Sequence, residues 1–212
     1  MKTKLISFSM IAFLLLPLAD LQAQFRYGVH AGINFSTQSE LGELWSNAVV
    51  FPGFSAGAIA EYRLARHVSL QGELNYQQKG SRFDSKINGT DVKDSKYFGY
   101  LSVPVMIKGT LPATDGEDRK WNLTGFAGTY ASYLTSARSK LTVSEVTTST
   151  SINDQVEKGD WGIIFGGGVN WNLRDGHALV TDIRYEMGLG KIDKQNNDIR
   201  NKVIGINIGY IF

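Results

Sequence analysis

Residues 25–36 alternate without a fault. Phe25, Tyr27, Val29, Ala31, Ile33 and Phe35 share one parity, and Arg26, Gly28, His30, Gly32, Asn34 and Ser36 share the other. A period of two is the signature of a strand with one apolar and one polar face. The run outlasts the roughly 5–6 residues of an ordinary globular strand and matches the roughly 9–11 needed to cross a bilayer at a tilt.

The pattern recurs in segments 53–64, 68–80, 97–111, 121–135, 161–173, 178–189 and 202–212. In 53–64 the apolar parity holds Phe54, Ala56, Ala58, Ala60, Tyr62 and Leu64, with Ile59 as the exception on the polar side. In 161–173 it holds Trp161, Ile163, Phe165, Val169, Trp171 and Leu173 against glycines and asparagines. Pro104 removes a ladder donor inside 97–111, so a local bulge is expected there. Counted with the first, the segments make eight strands. The connections 65–67, 112–120 and 174–177 are short or moderate, and the last contains Asp175-Gly176. Those at 37–52, 81–96, 136–160 and 190–201 are long. Short turns at one end and long polar loops at the other describe an up-and-down transmembrane barrel. The fold expected is therefore all-β: eight antiparallel strands closed into a transmembrane β-barrel over residues 24–212. Residues 141–152 also have strand propensity and suggest a hairpin reaching past the membrane.

What precedes the barrel reads as an address. Lys2 and Lys4 give a short positive region, residues 5–18 an apolar run, and Ala19 to Ala23 a small-residue cleavage site. A signal peptide over 1–23 is expected. It sends the chain out of the cytoplasm, to the outer membrane of a Gram-negative cell, with both mature termini in the periplasm. No later apolar run approaches the length of a spanning helix. The absence of Cys excludes a disulfide scaffold, a thiolate metal site and a thiol nucleophile. Lys+Arg 22 against Asp+Glu 20 leaves a formal charge of +2, no footprint for nucleic acid.

Following strand direction sorts the apolar-face aromatics into two rows. Tyr27, Tyr62, Trp121, Trp171 and Tyr210 fall toward the short-turn end, with Phe25 and Phe212. Phe35, Phe54, Tyr76, Tyr133 and Trp161 fall toward the long-loop end. Two aromatic girdles around an apolar band are what a lipid-facing barrel wall presents. The alternative is a soluble barrel with an apolar lumen, whose outer wall would be rich in Lys and Glu. Here the polar parity carries mostly Gly, Asn, Ser and Gln.

The chain ends inside its last strand, at Phe212, which must pair with the first for closure. A terminal aromatic on such a strand resembles the signal read by the outer-membrane assembly machinery. The opening Tyr27-Gly28-Val29-His30-Ala31-Gly32-Ile33-Asn34-Phe35-Ser36 resembles the first strand of the PorT-like outer-membrane β-barrel family of the Bacteroidetes. Segments 57–64, 70–80, 100–108 and 125–128 and the closing Gly209-Tyr210-Ile211-Phe212 continue the resemblance over the mature chain. It implies a porin-like outer-membrane barrel; the family's namesake is linked to protein secretion.

The charged residues of the inward parity are Arg26, Glu61, Arg63, Glu73, Lys79, Lys108, Asp182, Arg184 and Glu186, with His30 among them. An eight-stranded barrel is just wide enough for side chains to fill. Buried charges must pair, so this set is expected to form an ion-pair network filling the lumen. A narrow ion path is the second reading. A hydrolase is the third: Asp182 or Glu186 could orient His30, but Ser36 and Ser55, the serines a triad would draw on, lie near the outer rim. Gly166-Gly167-Gly168 lacks the following Lys and helix of a phosphate loop and reads as close strand packing. Asp193, Asn196, Asn197 and Asp198 could hold a divalent cation weakly, but read better as a solvated loop. No catalytic residue, metal or cofactor is expected. Apolar residues in the first long loop (Leu41, Leu44, Trp45, Val49, Val50 and Phe51) exceed what a loop needs and suggest a cover or a contact patch. The leading expectation is a non-enzymatic envelope or interaction protein. It works through its outer loops or by docking to an envelope or secretion complex. Its partners are then outer-membrane lipid and, during insertion, the barrel-assembly machinery.

Overall fold

The structure, a computed structural model, describes residues 24–40, 50–87, 90–112, 120–143, 146–173, 176–192, 194 and 199–212. The 1–23 signal peptide lies outside these residues. So do Leu41, Leu44, Trp45 and Val49 of the first loop, and Asp193, Asn196, Asn197 and Asp198 of the last.

The strands are β1 (Phe25–Glu40), β2 (Phe51–Ala65), β3 (Val68–Ile87), β4 (Thr90–Pro112), β5 (Trp121–Val143), β6 (Val146–Ser151), β7 (Gly159–Asn172), β8 (Ala178–Gly188) and β9 (Ile199–Ile211). That is one more than the eight expected. The sheet runs β4-β3-β2-β1-β9-β8-β7-β5-β6, and a further pairing of β4 with β5 closes it. All strands but β6 form the ring. β6 pairs only with residues 138–143 of β5, beyond the 121–133 stretch that β7 uses. It is the return arm of a hairpin standing clear of the ring.

Every pairing is antiparallel between neighbours, as an up-and-down barrel requires. The terminal strands seal the ring from Gly28↔Ile211 to Glu40↔Ile199. Both ends of the described chain therefore lie at the short-turn end. Gly176 there has φ 83°, the left-handed conformation that glycine adopts without a Cβ penalty.

Two stretches expected as loops are strand. Residues 81–87 pair with 90–96, and 92–98 with 137–143. β3, β4 and β5 thus run 20, 23 and 23 residues, where β8 runs 11. With β6 they build a four-stranded sheet beyond the ring. Ser/Thr-rich, charged sequence reads as loop. In strand register its β-branched Thr and Val residues still suit a sheet.

The bulge expected at Pro104 is elsewhere. Pro104 stays in register with Tyr130 on β5, and the register shift falls at Gly99/Tyr100. Thr135 Oγ1 donates to the Gly99 carbonyl there at 2.9 Å. On the β3 side the ladder lacks only the rungs that would join Glu73 to Pro104 and Leu74 to Val103, and the register is the same above and below. The missing N–H interrupts a ladder without displacing it.

Burial alternates with parity around the ring. The outer wall is apolar and bare: Tyr27 is 61% exposed and Ile183 60%, with Val29, Leu74, Val103, Val105, Leu123, Phe165 and Ile208 similarly open. A water-soluble protein rarely exposes so continuous an apolar surface. No helix among the described residues is long and apolar enough to cross a membrane; the strands do the crossing.

Candidate functional site: a packed lumen

The inward parity puts long polar side chains where their neighbours on adjacent strands are glycines. His30 lies opposite Gly57 and Gly209, and Arg184 opposite Gly166 and Gly205. A Cβ on Gly205 would come within 3.1 Å of Arg184 Cγ, and one on Gly166 within 2.6 Å of Phe126 Cζ. Around His30 and Arg184 the glycines leave the space that the long side chains fill. Gly166 and Gly168 are inward glycines, while Gly167 falls on the outer parity.

The charges sit in three tiers. At the long end, Lys79 Nζ lies 3.2 Å from Asp160 Oδ2 and 3.1 Å from Glu186 Oε2, fully buried. Tyr130 and Tyr100 turn their rings toward the ammonium, with centroids at 4.6 and 5.4 Å. Gln77 donates to Glu186 Oε1 at 3.0 Å, and Asn201 to Asp160 Oδ2 at 2.9 Å.

In the middle tier, Arg184 grips two carboxylates. Nη1 reaches Glu73 Oε2 at 2.8 Å and Nη2 reaches Oε1 at 3.3 Å; Nε and Nη2 each reach an Asp182 oxygen at 2.9 Å. Gln71 and Asn75 each donate to Glu73 at 2.7 Å, and Asn207 to Asp182 at 2.9 Å. His30 Nε2 lies 2.7 Å from Asn75 Oδ1 and 3.5 Å from Glu73 Oε2. This is the fork geometry that makes guanidinium the preferred partner of a buried carboxylate.

The tier nearest the short turns is a single pair, Lys108 Nζ to Glu61 Oε2 at 3.1 Å. Apolar packing fills the gaps between tiers: Met106, Phe126, Tyr130 and Ile164 in one cluster, and Ile59, Ala178, Val180 and Ile211 in another. Ile59, the exception of its strand, belongs to this inward filling. The cavity left between Lys108, Phe126 and His30 measures about 10 Å³, at the lower limit of what one water needs.

Two residues expected in the network sit differently. Arg63 is exposed at the short-turn mouth, where the β2–β3 register shifts between Arg63 and Ala65. The strand is leaving the ring there, so parity no longer points the side chain into the lumen. Arg26 is half-buried at the same mouth and donates to the Gly176 carbonyl at 3.3 Å. Asp160 went unseen because it borders a stretch that reads as loop. Extending the alternation of Gly162, Ile164 and Gly166 back one step would have found it. Tyr100 and Tyr130 were missed because aromatics were sought only on the outer parity.

The serines weighed as nucleophiles are engaged elsewhere. Ser36 Oγ donates to the Gly80 carbonyl at 3.0 Å and Ser55 Oγ to Asn207 at 3.0 Å. His30 contacts neither. Among the described residues no group of His, Asp and Glu has the arrangement of a metal site.

The outer aromatics pair across the register. Trp121 faces Trp171, and Phe25 faces Tyr62. The Tyr27 and Phe212 rings lie 5.7 Å apart, Tyr210 and Phe212 5.2 Å, and His177 stacks on Tyr210 at 5.6 Å. In the other row Phe54 and Tyr76 lie 5.7 Å apart, and Tyr133 and Trp161 fall two rungs apart on β5 and β7. Phe35, Tyr62 and Tyr210 are half-buried by neighbours on the same wall.

A closed antiparallel ring with an apolar wall and a polar, filled interior defines a small membrane barrel. The sequence agrees: residues 19–194 match the family model of the outer membrane protein beta-barrel domain, and the chain belongs to that family. Among solved structures it is similar to Neisserial surface protein A, at 16% identity over 87% of this chain and 95% of that one, with a TM-score of 0.45. It is also similar to OprG from Pseudomonas aeruginosa, at 14% over 89% and 94%, TM-score 0.44. Ail, the attachment invasion locus protein of Yersinia pestis, matches at 16% over 89% and 99%, TM-score 0.40. No curated protein matches the sequence.

Proposed function

We propose that the chain is a non-enzymatic outer-membrane barrel that acts as an envelope or interaction protein through the surface it projects past the membrane. One observation carries this reading. The β3–β4–β5–β6 sheet continues beyond the ring, and all of β6 is exposed. Seven extra residues of β3 at roughly 3.3 Å each lift its tip about 20 Å before tilt. Function commonly lies on such extensions of a rigid scaffold. At the base of the sheet a cavity of about 340 Å³ opens between Phe98, Lys96, Ile152, Val156 and Ile192. Phe51, from the apolar stretch of the first loop, is buried edge-on against Tyr97 at 4.8 Å.

On this reading residues 1–23 are a cleaved export signal and the short-turn end, with both mature termini, faces the periplasm. The aromatic rows anchor the barrel at headgroup depth, and Phe212 is read by the assembly machinery. The lumen network is structural: it holds the ring's shape and stops flow. The PorT-like resemblance supports docking to an envelope or secretion complex as the finer role. A conduit has the packed lumen against it.

The test is purification from native outer membranes in mild detergent, with mass spectrometry of what co-elutes. It is done for the full chain and for a variant with residues 141–148 replaced by an Asn-Gly turn. A partner that co-elutes with the full chain and is lost with the hairpin tip is the expected result. A folded barrel whose partners do not change with the tip would sink the reading.

A further inference from the structure

The short-turn mouth holds a second cavity, of about 240 Å³. Arg26, Arg63, Arg66 and His67 lie on its wall, with Glu61 as the wall's carboxylate. The lumen side is shut. Glu61 is bound to Lys108 at 3.1 Å, and Ile59, Val180 and Ile211 pack above it. The cavity is therefore a blind cup and not the entrance to a pore.

Among the described residues its charge is unbalanced. Glu61 pairs with Lys108 and also attracts Arg26, which donates one N–H to the Gly176 carbonyl. No carboxylate among the described residues pairs with Arg63 or Arg66. The Arg26 and Arg63 charges also lie close enough to act on each other. Three guanidiniums around a concave surface raise the local concentration of anions and suit two-pronged binding of an oxyanion.

A second observation points the same way. Asn170 is on the wall, only 6% exposed, and its Oδ1 has no donor among the described residues. Buried amide oxygens are nearly always satisfied. No guanidinium of the cup is hydrogen-bonded to this one, so it offers an acceptor to a ligand hydroxyl in the cup.

We propose that the cup binds a small hydroxylated oxyanion, a phosphate ester or sugar acid no larger than one ring. The anionic oxygens lie against the arginines, and a hydroxyl donates to Asn170 Oδ1. A soluble metabolite and the glycerophosphate headgroup of an anionic lipid share this chemistry.

Titration calorimetry on the intact barrel in a zwitterionic detergent tests it, with inorganic phosphate and glycerol 3-phosphate as probes. Both should bind saturably, glycerol 3-phosphate the more tightly. The exposed pair Arg63→Ala/Arg66→Ala should weaken both at least tenfold while circular dichroism and melting stay unchanged. Asn170→Ala should remove the advantage of glycerol 3-phosphate and leave phosphate affinity as it was. With phosphatidylglycerol doped into the micelle, competition assigns the site to a lipid headgroup and its absence to a soluble ligand. No saturable heat with either probe, or equal affinity in the double variant, would overturn the proposal.

Discussion

Lys79 shows how this barrel tolerates charge. Its ammonium sits between Asp160 and Glu186 under two tyrosine rings, shut off from water. Taking such ions out of water is expensive, and the pairing roughly offsets that cost without adding much beyond it. Removing one partner is another matter. Lys79→Met leaves two buried carboxylates facing each other, and the folded barrel should lose roughly 3–5 kcal/mol. The triple change Lys79→Met/Asp160→Asn/Glu186→Gln removes the stranded charges and should recover most of the loss. Urea unfolding in detergent micelles measures both; equal losses in the two variants would mean the tier is not held by charge. Lys79 and Glu186 were legible as inward residues because parity alone fixes a strand's face. Their partner Asp160 was not, since it falls one step before the 161–173 alternation and the charged stretch ahead of it reads as loop. The distance between two inward residues on different strands depends on stagger, which no local pattern encodes.

The strands divide into a part lipid dictates and a part it does not. Within the ring, the apolar parity faces hydrocarbon, and that constraint made the crossings legible from 25–36 onward. Val105 sits mid-wall, so Val105→Arg should cost about 2–4 kcal/mol of barrel stability, whereas Leu111→Arg, at the strand's end, should cost about 0–1. Unfolding midpoints in lipid vesicles would compare them; equal costs would contradict the placement of the band. Beyond the ring lipid no longer enforces alternation, and the connections read at 81–96 and 136–160 hold strand at 81–87, 90–96, 136–143 and 146–151. The extension has a direct check, because the chain has no Cys of its own. Thr148→Cys on β6 should react with a membrane-impermeant maleimide on intact cells, and His67→Cys in the opposite turn should react only after lysis. The reverse pattern would place the projecting sheet in the periplasm. Pro104 makes a smaller point at this scale. A missing donor was legible, but the neighbouring rungs absorbed it and the register shift went to Gly99/Tyr100.

At the scale of the molecule, the ring is a closed wall around a packed interior. Eight ring strands set the bore, inward glycines admit the long side chains, and the three charged tiers with their apolar filling occupy what remains. Fold class and membrane setting followed from parity and aromatic placement. What the ends bind did not, because a binding surface assembled from several strand ends has no sequence period. The claim that matters most is that nothing passes through. Purified barrel inserted into a planar bilayer should give no resolvable single-channel current at any holding potential, in salt or at low ionic strength. Reproducible ohmic steps, lost when Lys79 or Arg184 is altered, would show an open path through the tiers and contradict the account.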